Sequence, residues 1–196
     1  MDTLLVATTN PGKVREIRLA LEGLPVRLLT LADLASVPEP LETGATFAEN
    51  AAIKARYYYR ASGLPTVAED SGLAIDALGG RPGVESARYP GATYPDKFAN
   101  LLRELAGHPR PWTARYVCSL AFADGPGGPR FACEGTVEGE IVPEARGSRG
   151  FGHDPIFFYA PDGHTLGEAD DGRKLAISHR GRAFAGFRDW ILHASV

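Results

Sequence analysis

Two adjacent acids follow a short apolar run in the first half of the chain. Glu69 and Asp70 come directly after residues 65–68, a pattern typical of a strand. Because successive side chains of a strand point to opposite faces, one of the two acids must face inward or into a cleft. A carboxylate in such a place can hold Mg²⁺, orient a water molecule or act as a general base. The alternative is a polar turn in which Asp70 caps local backbone groups.

A second candidate site lies where an apolar strand runs into a helix. Asn10 suits an N-cap and Pro11 the first helical position, so we expect unpaired N–H groups and the positive end of the helix dipole there. With Lys13 one turn into the helix, this geometry binds phosphate. The spacing is not that of a Walker A loop, and a plain capped helix is the alternative. The residues concerned are Thr8, Thr9, Asn10, Pro11, Gly12 and Lys13.

A glycine-flanked aromatic residue forms a third candidate site. Gly150 and Gly152 allow the backbone to approach a ligand, and His153 and Asp154 follow them. Phe151 has little local core to join and can stack on a nucleotide base. The alternative is a loop aromatic that covers the edge of the sheet.

Hydrogen-bond donors cluster near the start of the last predicted helix, in residues 174–182. Lys174 and Ser178 share a face if this segment is helical, although a solvated basic face is the alternative. Only four of the 21 basic residues are lysines, and Lys13, Lys54 and Lys174 are three of them. Since lysine offers a compact charge to phosphate, the use of lysine rather than arginine at these three positions favours phosphate-binding sites.

The order of predicted elements indicates how these residues are positioned. The capping box of Thr46 and Glu49 starts a helix, and the turn at 124–129 joins two long strands as a hairpin. Strands alternating with helices, followed by a hairpin, predict an α/β protein with a mixed sheet in a single domain, residues 1–196. Predicted strands cover 4–8, 26–29, 65–68, 73–77, 112–123, 130–142 and 156–159. Predicted helices begin at Pro11 and cover 46–62, 96–106 and most of 167–194.

The composition excludes several classes of protein. The 196 residues carry 21 Lys and Arg against 24 Asp and Glu, a net charge of −3, which argues against a general nucleic-acid binder. No apolar run approaches the roughly 20 residues that span a bilayer, and the apolar N-terminal stretch is too short for a signal peptide. We therefore expect a cytoplasmic protein with no nucleic-acid or membrane partner, in which Cys118 and Cys133 are buried free thiols.

Six blocks, taken in order over nearly the whole chain, resemble the inosine triphosphate pyrophosphatases. That family hydrolyses non-standard purine nucleoside triphosphates. Each block alone is a weak signal, but six at compatible spacings are highly specific. The blocks are residues 8–13, 43–54, 68–73, 82–89, 150–157 and 174–182.

The resemblance implies a two-lobed α/β fold, with an elongated mixed sheet flanked by helices and the nucleotide in the cleft between the lobes. It also implies a homodimer, Mg²⁺ as cofactor and a nucleoside triphosphate as substrate. Asp70 is the implied catalytic acid-base residue and a metal ligand. Phe151 is expected to stack on the purine, and Lys13 and Lys54 to contact the triphosphate. The implied substrate-binding residues are Thr8, Thr9, Asn10, Pro11, Gly12, Lys13, Lys54, Ser71, Phe151, Gly152, His153, Asp154, Lys174, His179 and Arg180.

This chain departs from the family pattern at two positions. The family often has consecutive acids before the Thr-Gly of the second block, where this chain has Leu41 and Glu42. We therefore expect Glu42 to be a metal ligand, with Glu69 as a substitute. The family commonly has tyrosine where this chain has His153, which keeps an aromatic wall and adds a group that titrates near neutral pH.

The resemblance implies attack of water on the α-phosphorus of ITP, dITP, XTP or dXTP, releasing pyrophosphate and a nucleoside monophosphate. Donors from Lys174, His179 and Arg180 meet the 6-oxo group of the base, whereas adenine leaves them unpaired. Two other readings stay open. One is a related pyrophosphatase acting on pyrimidine or modified nucleotides, and the other is a catalytically silent nucleotide-binding module.

Overall fold

The computed structural model describes residues 1–194, and their strands form one seven-stranded sheet. The order across the sheet is β2-β1-β3-β4-β5-β6-β7. Strand β1 pairs in parallel with β2 and β3, whereas β6 pairs antiparallel with β5 and β7, which confirms the predicted mixed sheet. The strands are β1 (Thr3–Val6), β2 (Arg27–Thr30), β3 (Thr66–Ile75), β4 (Trp112–Ala123), β5 (Phe131–Ile141), β6 (Phe157–Tyr159) and β7 (His164–Thr165).

Local capping signals start α1 and α2 where the sequence predicts them. The Asn10 side chain caps α1, and the reciprocal bonds between Thr46 and Glu49 cap α2. Thr93 and Asp96 form a second capping box, so α3 begins two residues before its predicted start. The helices are α1 (Pro11–Ala20), α2 (Phe47–Ser62), α3 (Tyr94–Leu105), α4 (Asp171–Ile177) and α5 (His179–Ala194).

Two local features differ from the predictions. Strand β3 runs without a break from Thr66 to Ile75, so the strands predicted over 65–68 and 73–77 are one strand. The two acids lie in its middle, and the alternative of a polar turn is excluded. The strand passes close to a neighbouring segment at Gly72, where a Cβ would lie 2.4 Å from Ser86 Oγ. Ser178 is the residue that ends α4, with extended backbone, so it does not share a helix face with Lys174.

By their contacts, the described residues divide into two compact units, and the first comprises residues 1–70, 118–135 and 179–194. Its sheet is covered on one face by α1 and α5, which pack against each other, and on the other face by α2. The first face buries aliphatic and aromatic side chains such as Leu4, Ile17 and Phe187. The second face is lined largely by alanines such as Ala51, Ala55 and Ala121, which let α2 approach the strands closely.

The second unit comprises residues 71–117 and 136–178 and has its own core. Leu101 and Leu105 of α3 pack there with Trp112, Phe157 and Leu166. The predicted single domain over 1–196 stays a prediction, and Ser195 and Val196 lie outside the described residues.

Both cysteines are free thiols, as predicted, but only Cys118 is buried, and Cys133 is half-buried. Throughout residues 1–194, no helix is long and apolar enough to cross a membrane.

Candidate active site

Strand β3 sends its two acids to opposite faces of the sheet in the first unit. Val67 belongs to the core layer beneath α1 and α5, and Ala68 to the layer beneath α2. Alternation along the strand therefore places Glu69 on the α1 and α5 side and Asp70 on the α2 side. The contacts of the two carboxylates agree with this division.

Two side chains of α2 hold the carboxylate of Asp70. Lys54 Nζ lies 2.9 Å from Asp70 Oδ1, and Asn50 Nδ2 donates to Asp70 Oδ2 at 3.3 Å. Asn50 Oδ1 also accepts the N–H of Gly44 at 2.8 Å, which ties the segment before α2 to the same amide. Both oxygens of Asp70 are thus oriented by one rigid helix.

Glu42 is the second carboxylate at the Lys54 ammonium, with Oε1 at 2.8 Å from Nζ. Burial alone would lower the pKa of Lys54, but Asp70 and Glu42 outweigh it and raise the pKa above its usual value. Lys54 therefore stays charged and stands as a cation between two carboxylates.

The donor set of Glu42 and Asp70 fits Mg²⁺. Mg²⁺ prefers oxygen ligands and is usually held by one or two carboxylates together with substrate phosphates and water. Across residues 1–194, no three Asp, Glu, His or Cys side chains are grouped closely enough to hold a metal ion by themselves.

Glu69 is engaged by cations on the other face of the sheet. Its Oε1 lies 3.1 Å from Lys13 Nζ and accepts two bonds from the Arg180 guanidinium, which also pairs with Glu16. Burial would raise the pKa of Glu69, but Arg180 and Lys13 outweigh it and hold the pKa far below its usual range. The sheet therefore separates Glu69, predicted as a substitute metal ligand, from the pair formed by Glu42 and Asp70.

The start of α1 differs from the prediction in one respect. Asn10 Oδ1 accepts the N–H groups of Gly12 and Lys13 at 2.9 and 3.1 Å, so these groups are not unpaired. The hydroxyl of Thr9 donates to Glu39 Oε1 at 3.0 Å. An anion at this helix start would meet the Lys13 ammonium, which pairs with Glu69, rather than unpaired backbone N–H groups.

The second unit holds the predicted base-binding residues Phe151, Asp154 and Lys174, whereas His179 and Arg180 lie in the first unit. Lys174 Nζ pairs with the buried carboxylate of Asp154, which also accepts the N–H of Phe151 at 2.7 Å. The same ammonium lies 4.7 Å from the centre of the Phe151 ring. Gly150 has a φ of +71°, and a Cβ there would lie 2.2 Å from Asp154 Oδ2. The backbone of the half-buried Phe151 is thus held by Asp154 of the same loop, whose carboxylate pairs with Lys174 of α4.

Comparison with known proteins decides the family. The model of the Ham1 family matches residues 4–190. The chain belongs to the Ham1 family. A protein of Geobacter sulfurreducens named dITP/XTP pyrophosphatase is 47% identical to it over 194 residues, covering 97% of each chain. One of the same name from Thermus thermophilus is 49% identical, covering 92% of this chain and 87% of its own. These names agree with the resemblance found in the motifs.

Solved structures of Ham1 proteins share the fold. The Ham1 protein of Coxiella burnetii superposes with a TM-score of 0.90 at 38% identity, covering 98% of this chain and 100% of its own. That of Staphylococcus aureus gives a TM-score of 0.87 at 30% identity, with the same coverage. The mixed sheet with flanking helices is therefore a property of the family.

His153 departs from the expectation of a group that titrates near neutral pH. Burial, with a smaller contribution from Lys97, lowers the pKa of His153 to about 4. The ring packs edge-on against Tyr94 at 5.6 Å and tilted against Phe98 at 5.8 Å. In this Ham1-family chain, His153 is thus a neutral aromatic residue at pH 7.

The predicted site residues fall into two groups, one in each unit. The first unit holds residues 8–13, Glu42, Lys54, Glu69 and Asp70, together with His179 and Arg180 at the start of α5. The second holds Ser71, Phe151, Gly152, His153, Asp154 and Lys174. Arg180 is 1% exposed and is committed to Glu16 and Glu69. Its contact with two carboxylates is observed, and its contact with a base stays a prediction.

Sequence reasoning missed three residues of these clusters. Asn50 orients Asp70, Glu16 shares the Arg180 guanidinium, and Tyr94 packs on His153. Glu16 carried a usable signal, because it is a charged residue beside Ile17, on the inward side of a predicted amphipathic helix. Asn50 lies in the block at residues 43–54 but was given no role, and Tyr94 lies in no block, since the roles of both depend on partners distant in sequence.

Proposed function

We propose that this Ham1-family chain is a nucleoside triphosphate pyrophosphatase. It hydrolyses dITP, ITP, XTP and dXTP to the nucleoside monophosphate and pyrophosphate. Relatives that share nearly half of its sequence over almost its full length are named dITP/XTP pyrophosphatase. The single structural observation that carries the proposal is the carboxylate of Asp70 held between Lys54 and Asn50, with Glu42 on the same ammonium.

Asp70 is the proposed general base. Because Lys54 and Asn50 bind one oxygen each, the carboxylate is held in a single orientation, as a base that must meet a water molecule requires. The water it deprotonates attacks the α-phosphorus, and the bond to the pyrophosphate oxygen breaks. Asp70 then carries the proton.

Charge on the triphosphate is balanced by lysines of the first unit. Lys13 and Lys54 provide compact positive charges that stabilise the leaving pyrophosphate. Glu42 and Asp70 are the residues that would hold Mg²⁺, which when bound supplies further positive charge beside the phosphates. Glu69 keeps the Lys13 side chain in place through its ion pair.

Base selection is proposed to lie with Phe151 and Lys174. The ring of Phe151 offers a face on which a purine stacks, and the Lys174 ammonium lies over the same ring, 4.7 Å from its centre. A 6-oxo group accepts a hydrogen bond from such a donor, whereas the 6-amino group of adenine would leave the donor unpaired. His179 and Arg180 stay proposed contacts of the nucleotide.

The test is pyrophosphate release from ITP, dITP, XTP, GTP, ATP and TTP with Mg²⁺, by the wild type and Asp70→Asn in parallel. We expect strong preference for ITP, dITP and XTP, and loss of turnover in Asp70→Asn. Asp76→Asn is the matched control, because Asp76 is an exposed acid elsewhere on the chain. Absence of turnover by the wild type, or preference for TTP, would overturn the proposal. If Asp70→Asn still turns over substrate, another residue is the general base.

The assembly and location of the enzyme are part of the same proposal. We propose a homodimer that acts in the cytoplasm on free nucleotides, as the resemblance to the inosine triphosphate pyrophosphatases implies. Light scattering after size-exclusion chromatography tests the dimer, and a monomer mass at micromolar concentration would contradict it.

A further inference from the structure

Tyr94 lies beside the proposed base-binding loop of the second unit, although no motif of the sequence contains it. It is the first residue of α3 and keeps 38% of its surface exposed. A Cβ built on Gly152 would lie 3.7 Å from Tyr94 Oη, so the phenol oxygen is a neighbour of the Gly152 backbone. The hydroxyl thus stands next to the residue that follows Phe151.

The ring of Tyr94 is held in this position from several sides. It packs edge-on against His153, with ring centres 5.6 Å apart, and against Phe98 at 6.0 Å. The ammonium of Lys97 lies 5.1 Å from its ring centre. His153 is itself 3% exposed, and its Nε2 has no hydrogen-bond partner among the described residues. The buried imidazole of His153 therefore packs against the Tyr94 ring and positions its phenol group.

The hydroxyl of Tyr94 has no hydrogen-bond partner within residues 1–194, while its ring is fixed. Burial and the nearby Asp154 carboxylate raise the pKa of Tyr94, so the hydroxyl keeps its proton at neutral pH. A protonated, accessible phenol of fixed position is a hydrogen-bond donor ready for a ligand.

We infer that Tyr94 is a specificity-determining residue, whose hydroxyl donates a hydrogen bond to an exocyclic oxygen of the oxopurine base. The inference rests on the proposed function and adds a contact that the family motifs do not contain. Two oxygens are chemically equivalent acceptors for this donor. Hypoxanthine carries one, at position 6, and xanthine carries a second, at position 2.

The experiment compares kcat/KM of the wild type and Tyr94→Phe on XTP, ITP and purine riboside triphosphate, which has no exocyclic group. One neutral hydrogen bond corresponds to about a three- to ten-fold effect. We expect Tyr94→Phe to lose that factor on XTP, or on both XTP and ITP, and to lose nothing on purine riboside triphosphate. Loss on XTP alone identifies the oxygen at position 2, and loss on both identifies the oxygen at position 6. Because the bond exists in the ground state, KM should rise while kcat is unchanged.

Tyr159→Phe is the matched control, since it removes a phenol hydroxyl from strand β6 of the same unit. Melting temperatures of both variants should equal that of the wild type. Equal loss on all three substrates, or no change on any, would overturn the inference and leave the proposed function standing. A wild type that turns over none of them would instead overturn the proposed function, and the inference with it.

Discussion

The ammonium of Lys54 lies 2.9 Å from the Asp70 carboxylate, in a layer of the first unit lined by alanines. The side chains of both residues are about one-tenth exposed, at 11% each, so water screens the pair only weakly. Glu42 approaches the same ammonium at 2.8 Å. Two carboxylates therefore share the charge of one lysine, and a substitution at Lys54 tests what this contact contributes.

Lys54→Met should lower kcat by about 100-fold or more, because it removes the charge that balances the leaving phosphates and orients Asp70. Steady-state kinetics on ITP measure the change. Arg56→Met is the control, since Arg56 lies on the exposed side of the same helix, and its kcat should match the wild type. An active Lys54→Met enzyme would exclude Lys54 from the reaction.

Glu69→Gln should destabilise the fold by about 3–5 kcal/mol, because it leaves the buried Arg180 guanidinium with reduced charge compensation. Urea unfolding at pH 7 gives the free energy of unfolding. Glu85→Gln breaks the exposed ion pair with Arg88 and should leave that free energy nearly unchanged. Similar effects of the two substitutions would show that the buried pair is no stronger than a surface pair.

His153 should make stability depend on pH between about 4 and 6.5. The pKa of His153 is about 4 in the folded chain against 6.5 for an ordinary histidine, so within this interval the unfolded chain binds a proton that the folded chain does not. Stability is therefore full above pH 6.5 and falls as the pH drops toward 4, by up to about 3 kcal/mol.

The His153→Phe variant should lack this part of the pH dependence while keeping the aromatic contacts with Tyr94 and Phe98. Urea unfolding at several pH values from 4.5 to 7 compares it with the wild type. His108→Gln, at an exposed position, should follow the wild-type curve. Parallel curves for wild type and His153→Phe would contradict the neutral imidazole.

Gly150→Ala should raise KM for ITP at least about ten-fold. The added methyl group would lie 2.2 Å from Asp154 Oδ2, so the carboxylate that holds Lys174 and the Phe151 backbone must move. Gly163→Ala is the matched control, with φ +70° and nothing within 4 Å of its Cβ. Alanine is strained in the left-handed backbone region, so both variants should lose about 1–2 kcal/mol of stability. Gly163→Ala should nevertheless keep the wild-type KM. Equal KM values for the two variants would show that Asp154 takes no part in base binding.

Features that depend on a few neighbouring residues were predicted correctly. The caps at Asn10 and at Thr46 with Glu49 start their helices as expected, since each cap is a set of hydrogen bonds within three residues. The hairpin strands around 124–129 also match, because their alternation and turn composition are local. The family could also be identified from the sequence, because each of the six short blocks is defined by the types of its own neighbouring residues.

Tertiary packing decided what the local patterns left open. The pattern predicted that Glu69 and Asp70 point apart, but only the placement of α1, α5 and α2 on the two faces of the sheet shows which acid meets which cation. Nothing near His153 in sequence indicates that Tyr94 and Phe98 enclose it and keep it neutral. Capping energies arise within one helical turn, whereas the environment of a buried charge is set by residues brought together from distant parts of the chain.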